Sequence, residues 1–325
     1  MLPAIQVNWT KPFFDRKRLR GDTFKIVREM ESVEYDMPDF QFFYSILSAI
    51  HWKHHNTSLK LYTDTPGMEF LKKYNLTDLY DEIDTRFLDM YSKSKVDAAH
   101  FFTSGKIKVM GNQTEPFIFL DQDMIIRQKL PAWLFDNDLL ITHWEIPHGD
   151  FYFDEERWNR EIEGIEYPKN YSHLDLMVNT SFLAFKNIQL LRDYTVWHQK
   201  LVNIENETPN WYWLVSDQGI LGHCIREKNY TVNTLTDRVF LSSHTYGNEK
   251  TRKFGKSEPW YYPTTAVNIE KDKIEWEHIW LEKIHYAYHP DYEKTESQRM
   301  YNEIVECGYD HLVNHERFKK YESIL

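Results

Sequence analysis

Cysteine is nearly absent: Cys224 and Cys307 are the only two in 325 residues. That excludes a disulfide framework or a cysteine-rich zinc cluster and favours a reducing compartment. Long apolar runs are missing too. None approaches the ~20 residues that a membrane span needs, and the opening segment Met1–Lys11 lacks a signal peptide's apolar core. The expectation is a soluble, cytoplasmic protein with no membrane span, in which Asn-x-Ser/Thr sequons such as the one at Asn179 carry little meaning. Positive charge is the third shortage, with 39 Lys and Arg against 50 Asp and Glu and a net charge of -11. This argues against nucleic acid or an anionic membrane as partner, while leaving room for a local basic pocket around a phosphate. Internal repeats and low-complexity tracts are also lacking.

A chain of this length can bury a substantial core as one large α/β domain, or as a domain with an appendage. Aromatic residues make up 16% of it; ring faces suit sugars, but aromatic cores are commoner. The stretch around which the chain is organised is Phe117–Ile126, FIFLDQDMII. Four apolar residues run into Asp121, Gln122 and Asp123 and three more follow, the pattern of a buried strand with charge at its tip. In extended backbone, residues two apart point the same way, so Asp121 and Asp123 are expected to aim at one point. Two carboxylates there repel each other unless a cation intervenes. The alternatives are an acidic surface turn and a divalent metal site at the carboxyl end of a central strand.

In chain order, Ala4–Trp9 reads as a first strand with Asn8 and Thr10 at its end. The segment from 39 to 55 reads as a helix with Asp39 as its cap. Leu59–Tyr62 reads as a strand ending at Asp64, followed by a helix starting at Thr65 and Pro66. This rhythm predicts a parallel sheet of nucleotide-binding type. A helix is expected over Lys95–Met110, broken near Gly105, with Lys106 and Lys108 either solvated, the commoner case, or one of them in reach of a phosphate. Leu139–Trp144 reads as a strand with His143, Glu145 and His148 in or after it, and 145–175 as a long excursion over the sheet. Met177–Phe185 reads as one strand holding the polar trio Asn179, Thr180 and Ser181, which needs partners if buried. A helix capped by Asn187 spans about Ile188–Val202. Ser216 or Asp217 is expected to cap a further helix, with Gln218 beside it unexplained by capping. Strands are expected at Tyr230–Leu235 and Val239–Leu241, then HTYGNEK, which taken alone is an ordinary polar turn or a place where His244, Gly247 and Lys250 surround an anion. From about Thr295 onward the pattern is helical.

Four segments, FIFLDQDMII, VNTSFLAF, SDQGIL and HTYGNEK, follow one another over residues 117–250. In that order they resemble the GT-A glycosyltransferases, most closely glycosyltransferase family 8, the glycogenin and lipopolysaccharide galactosyltransferase type. The resemblance implies a GT-A fold, a Rossmann-like nucleotide-sugar-binding mixed sheet flanked by helices, over 1–290, with a C-terminal helical extension over 291–325. It implies Asp121, Asp123 and His244 as ligands of Mn²⁺ or Mg²⁺ holding the diphosphate of a nucleotide sugar. Asn179 would contact the donor sugar, Asp217 and Gln218 would lie near the anomeric carbon and acceptor, and Gly247 and Lys250 would touch the diphosphate. Asn8, Thr10 and Lys106 carry over by their position relative to the strands. The chain departs from the family at Thr251, where proline is frequent, and at Ser181, where glycine is frequent.

The implied activity is transfer of a hexose from a UDP-linked or other nucleotide-diphosphate sugar to a glycan or other hydroxyl acceptor, with retention. Bond breaking leaves negative charge on the diphosphate, which a cation and a lysine stabilise. At the sugar carbon, an amide oxygen such as that of Gln218 meets growing positive charge, as nucleophile or as shield. Two other classes remain: a haloacid-dehalogenase-like phosphatase, in which an Asp-x-Asp supplies nucleophile and acid/base, and an inactive nucleotide-sugar-binding protein.

Overall fold

Every residue of Phe117–Leu120 is buried, and successive side chains enter different cores. Ile118 and Leu120 join one apolar cluster while Phe117 and Phe119 join the other. A strand pleats with period two, so a strand covered on both faces must be apolar at every position. The computed structural model describes residues 2–18, 34–146, 153–169, 171–203, 215–235, 240–241, 281–283 and 290–322.

The described strands are β1 (Ala4–Asn8), β2 (Leu59–Thr63), β3 (Glu82–Asp84), β4 (Phe117–Leu120), β5 (Met124–Ile126), β6 (Leu139–Ile141), β7 (Trp144–Ile146), β8 (Met177–Val178), β9 (Phe182–Phe185), β10 (Val232–Thr234), β11 (Phe240–Leu241) and β12 (Leu281–Lys283). The α-helices are α1 (Lys11–Arg18), α2 (Asp39–His55), α3 (Thr65–Lys73), α4 (Arg86–Tyr91), α5 (Ser104–Gly111), α6 (Glu155–Glu161), α7 (Ile188–Val202), α8 (Ile220–Lys228), α9 (Pro290–Glu306), α10 (Asp310–Val313) and α11 (Lys319–Glu322). A seven-stranded sheet runs in the order β10-β6-β9-β4-β1-β2-β3. Its pairings make all of these strands parallel except β9, which is antiparallel to both β4 and β6. The sheet is therefore the mixed, helix-flanked kind that the resemblance implies, parallel as the strand-helix rhythm predicts except at β9.

From β1 the chain builds outward to β2 and β3, then returns to place β4 on the other side of β1. The gap between the carboxyl ends of β1 and β4 is a topological switch point, where open α/β sheets leave a crevice. Asn8 and Thr10 stand at one lip of it and Asp121 at the other.

Several elements begin or end elsewhere than the sequence suggests. The helix expected over Lys95–Met110 starts only at Ser104. Before it, the Asp97 carboxylate accepts hydrogen bonds from the Ala99 and His100 amides at 3.2 and 3.3 Å, which holds a turn in place of a helix. Leu139–Trp144 divides into β6 and β7, which belong to different sheets, and Met177–Phe185 divides into β8 and β9, with the polar trio in the bend. Asp39 does not cap α2; its carboxylate instead accepts from Arg317 Nε at 2.6 Å and from Tyr321 at 3.0 Å. Asn187 caps α7 as expected, accepting from Gln189 N at 2.9 Å.

α2 is buried nearly all round, from Phe42 to Ile50 and at Trp52, because the sheet covers one side and α9 to α11 cover another. Met300, Tyr301, Ile304, Leu312, Phe318 and Tyr321 share its apolar cluster. Polar ties hold these C-terminal helices in place. Arg317 bonds Asp39, Asp36 at 2.6 Å, Tyr74 at 3.1 Å and the Met37 carbonyl. Glu303 of α9 receives Arg127 through Nε and Nη2, at 2.9 to 3.0 Å, together with His51 at 2.8 Å and Arg299 at 3.0 Å. Arg127 directly follows β5, so α9 is anchored to the strand that leaves the acidic turn.

Burial pushes the Glu303 carboxyl pKa up, but the His51 hydrogen bond and the Arg127 and Arg299 charges outweigh it and bring it from 4.5 to about 2. A depressed carboxyl pKa stabilises the fold fully above its unfolded value and loses that contribution as pH falls through the folded one. Glu303→Gln should therefore lower stability by about 3 kcal/mol at neutral pH. In urea titrations the gap from wild type should narrow between about pH 4.5 and about pH 2. A gap independent of pH would show that the ionised carboxylate is not what stabilises this joint.

Candidate active site

The strand tip ends in a turn. Met124 N donates to the Asp121 carbonyl at 3.1 Å and residues 122–123 are turn residues, so the alternation of a strand does not set where Asp121 and Asp123 point. That corrects the extended geometry expected from sequence. The turn is pinned to the neighbouring bend by Asp121 N donating to the Ser181 carbonyl at 2.8 Å. Gln122 leaves in another direction, donating to Tyr80 Oη at 3.5 Å.

Lys106 reaches this edge from the first turn of α5. A Cβ at Gly105 would lie 2.7 Å from the Trp9 ring, so glycine lets that turn close against the end of β1. The Lys106 ammonium lies 3.9 Å from Asp121 Oδ1, 3.2 Å from Asp217 Oδ2 and 3.0 Å from Thr180 Oγ1. Thr180 Oγ1 donates to Asp217 Oδ2 at 3.2 Å, and Tyr194 Oη donates to Asp217 Oδ1 at 2.8 Å. Burial and the Asp217 charge push the Tyr194 phenol well above its ordinary range, so it keeps its proton and donates. Asp217 itself is only 1% exposed.

Asp217 is not the helix cap expected from sequence. Val215–Gly219 forms a π-helical turn continuous with α8, and Gly219 already has helical angles (φ -66, ψ -47), so there is no helix start at Ser216 or Asp217 to cap. π-turns within helices are rare and concentrate at functional sites. All five residues of this one are buried, Gln218 among them.

His198 braces the turn from α7. Its Nδ1 lies 3.0 Å from the Ser216 carbonyl, which can only accept, so Nδ1 carries the proton and Nε2 accepts from Ser104 Oγ at 3.1 Å. Burial, with help from the charges of Lys108 and Lys106, brings the imidazole pKa down to about 4 against the opposing Ser216 bond and Asp217 charge. Neither Tyr194 nor His198 stood out in the sequence. The usable sign is their spacing of four on a helix whose cap and apolar face were legible, which puts both on one side.

Asn179 is 2% exposed. Its Nδ2 donates to Glu145 Oε1 at 2.6 Å and its Oδ1 accepts from Ser181 N at 3.2 Å, so the side chain shapes the bend that presents Thr180. Glu145 is also 3.3 Å from His143 Nε2. Asn8 and Thr10 belong to a second cluster. Thr10 bonds the Asp64 carboxylate through N at 3.1 Å and Oγ1 at 2.8 Å, and that carboxylate also caps α3 by accepting from Gly67 N at 3.4 Å. Asn8 Oδ1 accepts from Tyr35 at 2.9 Å, whereas the buried Asn8 Nδ2 has no acceptor among the described residues. The structure thus joins Asp121, Lys106, Thr180 and Asp217 in one bonded cluster and places Asn8 and Thr10 in a separate one, buried with Asp64 and Tyr35 at the end of β1. His244, Gly247 and Lys250 lie outside the described residues, as does His148.

Two outcomes follow for stability. Lys106→Met leaves the Asp217 carboxylate buried with two hydroxyl donors and no cation among the described residues, and should cost about 3 kcal/mol. Adding Asp217→Asn should recover part of that loss, and strict additivity in chemical denaturation would show that the pair is not coupled. His198 is held neutral in the fold but protonates near pH 6.5 when unfolded, so the unfolded state binds the extra proton first. Stability should therefore fall as pH drops from about 6.5 to about 4, and His198→Gln should remove that part of the profile.

Among the described residues, no helix is long and apolar enough to cross a membrane. Among solved structures, the chain is similar to the galactosyltransferase LgtC in complex with donor and acceptor sugar analogs, at 10% identity over 98% of this chain and 100% of that one, with a TM-score of 0.45. It is also similar to the glycosyltransferase GlyE of Streptococcus pneumoniae TIGR4, at 11% identity over 95% of this chain and 64% of that one, with a TM-score of 0.38. Mouse xyloside xylosyltransferase 1 in its apo form matches at 13% identity over 78% of this chain and 93% of that one, with a TM-score of 0.35. No curated protein matches this chain. Residues 23–297, well over half of the chain, match the model of DUF6734, a family of unknown function, and the chain belongs to that family.

Proposed function

We propose that this chain is a metal-dependent GT-A glycosyltransferase, of the family 8 kind, that moves a hexose from a UDP-linked sugar to a hydroxyl of a glycan or other acceptor, with retention. One observation carries the proposal: an acidic turn, a lysine and a buried aspartate are bonded together at the carboxyl edge of the sheet, beside the switch point between β1 and β4. The switch point is where a sheet of this kind takes a nucleotide, and Asn8 and Thr10, buried at the end of β1, are proposed to back that site.

The described residues fit a hard cation in part. Asp121 and Asp123 offer carboxylate oxygens from a single turn, the donor type that Mn²⁺ and Mg²⁺ take. Among the described residues no three His, Cys, Asp or Glu side chains gather as a complete site, and the third ligand in this proposal, His244, lies outside them. When bound, the ion supplies positive charge against the departing diphosphate.

The chain's own groups do the rest. Lys106, between Asp121 and Asp217, holds positive charge where phosphate oxygens approach, and Gly247 and Lys250 are proposed to meet the same diphosphate. Thr180 and Asn179 shape the wall against the donor sugar. Gln218, fixed in the π-turn next to Asp217, presents its amide oxygen to the anomeric carbon, either as nucleophile or as a shield that leaves the acceptor the other face.

Calorimetric titration with UDP-galactose, UDP-glucose and GDP-mannose, with Mn²⁺ and again with chelator, tests the reading. Binding should require Mn²⁺, and Asp123→Ala should weaken it by more than the about 100-fold that an outer-shell partner of a metal costs. Binding that survives chelation would remove the metal from the mechanism. Phosphate released from a phosphomonoester, with no nucleotide sugar bound, would replace glycosyl transfer with phosphatase chemistry.

A further inference from the structure

Two side chains of α7 point at the π-helical turn and bond different parts of it. Tyr194 donates to the Asp217 side chain at 2.8 Å, and His198, four residues on, donates through Nδ1 to the Ser216 carbonyl at 3.0 Å. Positions four apart lie one above the other on a helix, so a single face of α7 grips the turn at two adjacent residues. The second imidazole nitrogen accepts from Ser104 at 3.1 Å, in the first turn of α5 and two residues before Lys106. One ring therefore bridges the two elements that supply the Lys106–Asp217 ion pair.

We infer that Tyr194 and His198 are positioning residues, which hold the turn bearing Asp217 and Gln218 in register with Lys106. This rests on the glycosyl-transfer proposal above for its catalytic consequence, although the anchoring itself does not. A π-turn leaves the regular helical ladder, so groups outside it must fix its shape. Tyr194 and His198 are both fully buried, at 0% and 1% exposure, and each donates one hydrogen bond to this turn. If they only filled space, the identity of the bonding nitrogen would not matter. If they position, it matters greatly.

Asparagine places an amide nitrogen, a donor, near the Nδ1 position of histidine, and glutamine can place its amide oxygen, an acceptor, near Nε2. His198→Asn can keep the Ser216 bond and lose Ser104, whereas His198→Gln does the reverse. Tyr194→Phe keeps the ring and loses only the hydroxyl. Val196→Ala, at an exposed position of the same helix, is the control.

Hydrogen exchange by mass spectrometry over residues 215–220 gives a readout that needs no substrate. Tyr194→Phe and His198→Gln should speed exchange there by about tenfold or more without raising exchange in β4, and His198→Asn should speed it clearly less. UDP release from UDP-galactose or UDP-glucose with Mn²⁺ supplies the kinetic side. There kcat should fall about tenfold in Tyr194→Phe and His198→Gln while KM for the donor stays within about threefold. Unchanged exchange in both of these variants, or equal effects of His198→Asn and His198→Gln, would overturn the anchoring. If the wild-type protein turns over no nucleotide sugar, the glycosyl-transfer proposal falls, and the exchange data still decide whether α7 holds the turn.

Discussion

A carboxylate taken out of water must be met by charge and by hydrogen bonds, or it loses its proton balance or its place. Asp217, at 1% exposure, is met by an ammonium, a threonine hydroxyl and a phenol, and each comes from a different segment: α5, the bend between β8 and β9, and α7. Its burial is therefore affordable only when these segments are already in place. That single condition links the acidic turn to the rest of the edge, because the bend supplying Thr180 also binds the Asp121 amide through the Ser181 carbonyl. Moving any one of the four segments breaks a bond in at least one neighbour.

The topology explains why these segments meet. β9 runs against β4 and β6, so the start of β9 lies beside the end of β4, and the polar trio ahead of β9 falls at the carboxyl edge of the parallel strands. Had β9 been parallel, the trio would have emerged at the far edge. The reversal of strand order at β1 then opens a crevice next to the same cluster. The site is thus a consequence of one antiparallel strand and one change of winding direction.

Much of this was legible in the sequence. The unbroken apolar run of Phe117–Leu120 announces a strand buried on both faces, and Asn187 before an amphipathic stretch announces α7. What failed has a common physical origin. Asp39 and Asp217 both carry the local signature of a helix cap, and both are drawn into tertiary ion pairs, with Arg317 from the far end of the chain and with Lys106. Local pattern ranks the capping bond first because the distant cation is invisible to it. The apolar residues flanking the acidic pair point to extended backbone, but the hydrogen bond from Met124 to Asp121 makes a turn. The roles of Tyr194 and His198 are not legible in the sequence, since nothing in a helical stripe says which inward residue meets a polar partner.

Buried polar contacts of this kind seldom add much net stability, since desolvation consumes most of what the pairing returns. They do exclude alternatives. With both Asp217 oxygens taken and the Ser216 carbonyl held by His198, the turn cannot slip by a residue into an ordinary α-helix without stranding a charge in the core. That stranding is the energetic reason for a π-turn to persist where an α-turn would be locally better. An apolar replacement of the whole cluster could leave the protein as stable and would free the turn. The polar cluster is therefore better explained by a need for one fixed shape at this edge than by a need for stability.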